Sequence, residues 1–176
     1  MIKKLRSLAL ASLALALSAP AHAQLSEGAT APTFTTQAAM AGKEFGFNLE
    51  MALKQGPVVL YFYPKAFTQG CTLEANAFAE AMPDFKKAGA SVIGMSNDTI
   101  ETLKRFSREE CRDAFPVGVA SAEVIADYDV SLGESGLASR TSYVIAPDGS
   151  ISTVYSSGDY REHVGRTLAA VNKLSK

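Results

Sequence analysis

The reactive chemistry open to this chain is concentrated in sulfur. Its 176 residues contain two cysteines, Cys71 and Cys111, and two histidines, His22 and His163. His22 falls in a segment with the marks of a secretory leader. Lys3, Lys4 and Arg6 precede an uncharged apolar run over residues 7–19, and Ala21-His22-Ala23 follows as a small-x-small cleavage pattern. The run is shorter than the ~20 residues a membrane-spanning helix needs. Cleavage after Ala23 is expected to leave residues 24–176 as a single domain in which His163 is the only histidine. One histidine and two widely separated cysteines do not fit the ligand spacing of a zinc site. A Ser-His-Asp arrangement would have to rest on that one imidazole.

Charge and hydropathy exclude further classes. Without the leader, 14 basic residues face 18 acidic ones, which gives no basic footprint for nucleic acid. No second apolar run is long enough to span a membrane, and no cysteine at the cleavage site offers a lipid anchor. The expected location is a periplasm or the extracellular space, where disulfides persist.

Cys71 sits where a sulfur nucleophile would be placed. Residues 58–63 (VVLYFY) form an unbroken β-branched and aromatic run, the pattern of a strand buried on both faces. Pro64 ends that run. Beyond Thr72, apolar residues recur at Leu73, Ala77, Phe78, Ala81, Met82 and Phe85, which is helical spacing. The sulfur should therefore lie beside the first N–H groups of a helix, whose dipole attracts negative charge, and the thiolate is the nucleophilic form. The Thr68 hydroxyl, three residues upstream, can fold back toward it. The plainer alternative is a small buried apolar side chain at a helix start.

The elements around Cys71 alternate. Pro83 is expected to bend or break the first long helix near its end. Residues 90–95 read as a second buried strand. Asp98 and Glu101 resemble a capping box opening a helix that runs to about Cys111. A short strand over 117–120 and a short helix over 123–128 follow. Strands over 141–146 and 150–155 flank the hairpin turn Pro147-Asp148-Gly149. Asp159 and Glu162 are expected to cap a final helix with Val164, Leu168, Val171 and Leu174 on its apolar face. This order implies an α/β fold of the thioredoxin type, a central mixed sheet with helices on both faces.

The segment Pro64-Lys65-Ala66-Phe67-Thr68-Gln69-Gly70-Cys71 resembles the Pro-x-x-x-Thr-x-x-Cys motif of the peroxiredoxins. YFYPKAFTQGCTLEA is similar to the bacterioferritin-comigratory, or Q-type, branch. The likeness continues through GASVIGMSNDTIETLKRF, FPVGVASAEVIADYDV and ASRTSYVIAPDGSI, nearly all of the chain beyond the leader. It implies a peroxidase in which Cys71 attacks a hydroperoxide and becomes a sulfenic acid. Thr68, the Cys71 backbone N–H and Arg140, in Ser139-Arg140-Thr141, would hold the two oxygens in line, while Pro64 shields the sulfur. It implies no metal, haem or flavin, a monomer, and a thioredoxin-like dithiol protein as reductant.

Many Q-type relatives place a second cysteine five residues after the first; here that residue is Asn76. Cys111 is instead expected near the end of the Asp98 helix, on the buried face it would share with Ile100 and Leu103. The resemblance implies a resolving role for Cys111 through a disulfide with Cys71, for which the helix ends would fray. A permanent structural disulfide and an idle buried thiol remain open beside it. Tyr61, Phe62 and Tyr63 are expected in the core, His163 in solvent, and Glu74 either at the active-site loop or on a helix surface. A thiol–disulfide exchange protein would need Cys-x-x-Cys, and position 74 is Glu. A non-catalytic binding module with a structural disulfide is the other competing class.

Overall fold

A computed structural model describes residues 24–175, so the expected leader lies outside the described residues. The chain runs β1 (Thr35–Met40), β2 (Lys43–Asn48), α1 (Leu49–Leu53), β3 (Val58–Phe62), α2 (Gln69–Lys87), β4 (Ser91–Ser96) and α3 (Ile100–Glu109). It continues through β5 (Val117–Val119), α4 (Ala122–Asp127), β6 (Thr141–Ile145), β7 (Ile151–Ser156), a 3-10 turn (Tyr160–Glu162) and α5 (His163–Leu174). The seven strands form one sheet in the order β2-β1-β5-β4-β3-β6-β7. β3 and β5 lie parallel to β4, whereas β6 runs antiparallel to β3.

β3 occupies an interior position, and all five of its residues are buried. Because strand side chains alternate between faces, Val59, Tyr61 and the following Tyr63 enter one core with Phe78 and Phe85 of α2, Leu103 and Phe106 of α3, and Val171 of α5. Val58, Leu60 and Phe62 enter the other with Leu49 of α1, Val124 and Ile125 of α4, and Tyr143 of β6. Both faces are thus covered by helices, as an α/β sheet requires. No described helix is long and apolar enough to cross a membrane.

Tyr61 pairs across the ladder with Gly94. A Cβ added to Gly94 would come within 2.6 Å of the Tyr61 ring. Since β3 is fixed on both faces, the ring has little freedom to yield. Gly94→Ala is expected to destabilise the fold by about 1–3 kcal/mol through overpacking, read as a lower urea midpoint.

Several local expectations are corrected. α2 does not break at Pro83 but runs on to Lys87 with the exposed proline inside it. The cap of α3 is Thr99, whose side chain accepts from Thr102 N, and Asp98 is used elsewhere. Asp159 caps the 3-10 turn rather than α5, and Glu162 makes no side-chain cap. α5 buries a wider face than expected: Val171 is buried and Val164 and Leu168 pack against the core, but His163, Thr167 and Ala170 are buried beside them, while Leu174 is exposed. The β1–β2 hairpin and α1 had no counterpart in the sequence-based reading.

Candidate active site

The strand β3 ends at Phe62, and residues 63–68 carry the chain from the strand's C-terminal end into α2. Tyr63 stays tied to the sheet through its N–H to the Met95 carbonyl. Asp98 fixes the middle of this loop, because Oδ2 accepts both from Ala66 N, at 2.8 Å, and from Ser96 Oγ, at 2.8 Å. That is where the carboxylate expected to cap α3 has gone. Phe67 takes φ 63°, a left-handed conformation unusual for a bulky side chain. Its ring stands edge-on to Phe106, which helps hold the turn in place.

Cys71 lies in the first turn of α2 and is 2% exposed. The first-turn N–H groups of a helix lack intrahelical acceptors, so this end favours a negative sulfur. Arg140, just ahead of β6, reaches across to meet it. Its Nη2 donates to Cys71 Sγ at 3.4 Å, Nη1 donates to Glu74 Oε2, and Nε donates to the Gly158 carbonyl at 3.2 Å. One planar guanidinium is therefore held at three points, an arrangement a lysine could not reproduce. Gly70 leaves room for it: a Cβ there would lie 3.1 Å from Nη2.

Thr68 precedes α2 and donates its hydroxyl to the Lys65 carbonyl at 2.9 Å, which leaves oxygen lone pairs as acceptors. It makes no side-chain cap of α2. Pro64 is half-buried at the end of β3.

Glu74, one turn beyond Cys71, is fully buried, so the open question about it closes in favour of the active-site side. Burial pushes its carboxyl up to about 8, against the opposing pull of Arg140. His163 is buried rather than solvated, which corrects the sequence-based expectation. Its Nδ1 is 2.8 Å from Ser142 Oγ and 3.8 Å from Glu74 Oε1, and its Nε2 is 3.1 Å from the Ser157 carbonyl. Burial lowers the imidazole to about 4. Nothing in the run His-Val-Gly-Arg marks His163 as buried; only the register of α5 on α2 does so.

These shifts set a pH dependence of stability. Glu74 is raised on folding, so its contribution is complete at low pH and is lost as pH climbs toward 8. His163 is lowered and acts in the opposite sense, but only between about 4 and 6.5. From pH 6.5 to 8 the Glu74 effect stands alone. Unfolding free energy is expected to fall there by up to about 1.4 kcal/mol per pH unit. Denaturant titrations across that window should lose this slope in Glu74→Gln.

Cys111 follows the C-cap of α3 and is fully buried; both cysteines are free. The two belong to the same core cluster, with Tyr61 and Tyr63 among their neighbours. Burial first, then the Glu110 and Asp113 carboxylates, push the Cys111 thiol well above its ordinary range. The next two residues, Arg112 and Asp113, take φ 51° and 58°. Asn76, at the position where Q-type relatives carry a cysteine, donates to the Thr72 carbonyl at 2.8 Å and to Glu110 Oε2 at 3.3 Å.

Comparison with known proteins identifies the family. Residues 28–154 match the AhpC/TSA family. The chloroplastic peroxiredoxin Q of Suaeda salsa is 34% identical over 155 residues, covering 86% of this chain and 70% of that one. The putative peroxiredoxin YkuU of Bacillus subtilis (strain 168) is 33% identical over 158 residues, covering 84% and 87%. Among solved structures, peroxidoxin BcpB of Mycobacterium tuberculosis superposes with a TM-score of 0.76 at 32% identity, covering 84% of this chain and 97% of that one.

Proposed function

This chain belongs to the AhpC/TSA family as a Q-type peroxiredoxin and is a thiol-dependent peroxidase; from that premise we propose that Cys71 is its peroxidatic residue and Cys111 its resolving one. The observation that carries the first assignment is the 3.4 Å contact from Arg140 Nη2 to a buried sulfur at the start of α2. The thiolate attacks one oxygen of the hydroperoxide. An S–O bond forms, the O–O bond breaks, and the second oxygen leaves with the electron pair, taking a proton to become water or an alcohol. Arg140 and the Cys71 N–H stabilise charge on the departing oxygen. Thr68 accepts from the peroxide O–H and keeps the two oxygens in line. Pro64 limits water at the sulfur.

Resolution by Cys111 requires movement. A thiol that is fully buried and held in its protonated form cannot attack while it stays in the core. The left-handed pair Arg112 and Asp113 supports release of this segment, because such conformations store about 1–3 kcal/mol each. Mass mapping after one equivalent of peroxide should find a Cys71–Cys111 disulfide that a dithiol removes. A bond present before peroxide and resistant to dithiol would make it structural. The complete burial of Cys111 favours one alternative, a one-cysteine cycle, in which only an external thiol becomes attached to Cys71. The proposal includes a thioredoxin-like dithiol protein as reductant, a monomeric state and a periplasmic location, the last supported by the charged and apolar pattern of residues 1–23.

A further inference from the structure

The buried cluster behind Cys71 has more acid–base capacity than the peroxidase step described above uses. Arg140 is one cation set between two potential anions, the Cys71 sulfur and the Glu74 carboxylate. Glu74 has no exposed surface, and its Oε1 makes no hydrogen bond. The atom that Oε1 faces is Nδ1 of His163, 3.8 Å away. The Ser157 carbonyl can only accept, so His163 Nε2 must carry a hydrogen, which leaves Nδ1 of the neutral ring as an acceptor.

We propose that His163 and Glu74 together hold one proton, and that this proton reserves the Arg140 charge for the Cys71 thiolate. The inference rests on Cys71 being the peroxidatic residue. With the sulfur ionised and the pair carrying a single proton, the buried groups are electrically balanced. This holds whether the proton sits on Oε1, giving one anion and one cation, or on Nδ1, giving two of each. If the pair loses that proton, the Glu74 carboxylate competes with the thiolate for a single guanidinium, in a medium where unbalanced charge is costly. The upward displacement of Glu74 and the downward one of His163 are in keeping with a neutral pair.

The surroundings of His163 are accounted for on every side. Glu74 faces it from α2, Arg140 from the segment before β6, Ser142 from β6 and Asp159 from the cap of the 3-10 turn. The Tyr155 ring of β7 packs edge-on at 4.7 Å, and Arg166 lies one turn further along α5. Glu74 is the one carboxylate within salt-bridge distance of the ring among the described residues. His163 and Glu74 are thus positioning residues, acting on sulfur through Arg140, and neither touches the peroxide.

The test compares alkylation of Cys71 by iodoacetamide, followed on the Cys71 peptide by mass, in the full chain and in His163→Phe. The variant is expected to react at the wild-type rate at pH 6.5, where burial alone keeps Glu74 protonated, and to fall on the order of tenfold behind as pH approaches 8, where the carboxyl gives up its proton unless the imidazole shares it, with the gap closing in stronger alkali as the thiol ionises regardless. The same substitution made in a Glu74→Gln background, where position 74 cannot ionise, should change the pH profile by less than about twofold. Rates that fall equally at every pH, or an undiminished penalty in the Glu74→Gln background, would show a merely structural role and overturn the proposal. A second measurement does not depend on a variant folding. In the wild-type chain, blocking Cys71 with methyl methanethiosulfonate should shift the pH at which the His163 ring 15N signals titrate, since coupling between sites is reciprocal. An unchanged titration overturns the proposal. If peroxide fails to oxidise Cys71, the peroxidatic assignment falls by itself, and these measurements still report whether His163 and Cys71 are coupled.

Discussion

Cys71→Ser is expected to abolish peroxide consumption, with a loss on the order of 10⁴-fold or more, as when a covalent nucleophile is removed from a preorganised site. The reason is electronic. A serine hydroxyl at neutral pH is not ionised by the groups present here, and its oxygen cannot expand into the S–O chemistry of a sulfenic acid. The fold should tolerate the change. Cys71 packs beside Tyr61 and Tyr63 in a core whose other members remain in place, and the exchange alters one atom at a helix start. Thermal unfolding and far-UV circular dichroism of the variant check that the loss is chemical. Peroxide turnover with a saturating dithiol measures the loss itself.

Arg140→Ala is expected to lower kcat/KM by about 10²–10³, on the scale of removing one preorganised donor that stabilises developing negative charge. Arg140→Lys should recover little of this, because a single ammonium cannot reach Cys71 Sγ, Glu74 Oε2 and the Gly158 carbonyl together. The alanine variant also leaves Glu74 buried without its cation. Breaking a buried pair in this way costs about 3–5 kcal/mol when the remaining partner is charged. Glu74 can take up a proton instead, so the destabilisation should be largest at alkaline pH and relieved as pH falls. Urea midpoints of Arg140→Ala on both sides of neutrality read that pattern. Equal destabilisation at both would mean that Glu74 does not change its protonation.

The parts of the site that lie close together in the chain were legible before any coordinates. Residues 58–63 announce β3 because burial on both faces demands an unbroken apolar run. The helical spacing after Thr72 then places Cys71 at the start of α2. Arg140 is far away in the chain, and it came into view through family resemblance rather than through any local pattern. The supporting residues were harder. Asp98 and Thr99 are both good cap formers, and the choice between them is made by the Ala66 N–H, 32 positions upstream, which draws the Asp98 carboxylate away. Apolar periodicity marks Val164, Leu168 and Val171 as the core side of α5, but it passes over His163 and Thr167, which are buried beside them, the imidazole between Ser142 and Glu74. The β1–β2 hairpin escaped because β2 is exposed at four of its six positions, so the alternation that marks a half-buried strand is faint.

The central claim is that peroxide reacts at the Cys71 sulfur under the Arg140 guanidinium. It is tested most directly by treating the reduced full chain with one equivalent of hydrogen peroxide in the presence of dimedone and mapping the adduct by mass. Trapping competes with disulfide formation, so Cys111→Ser is run in parallel. The account predicts dimedone on the Cys71 peptide in that variant, and either that adduct or a Cys71–Cys111 disulfide in wild type. Peroxide consumed while Cys71 remains a free thiol would contradict it.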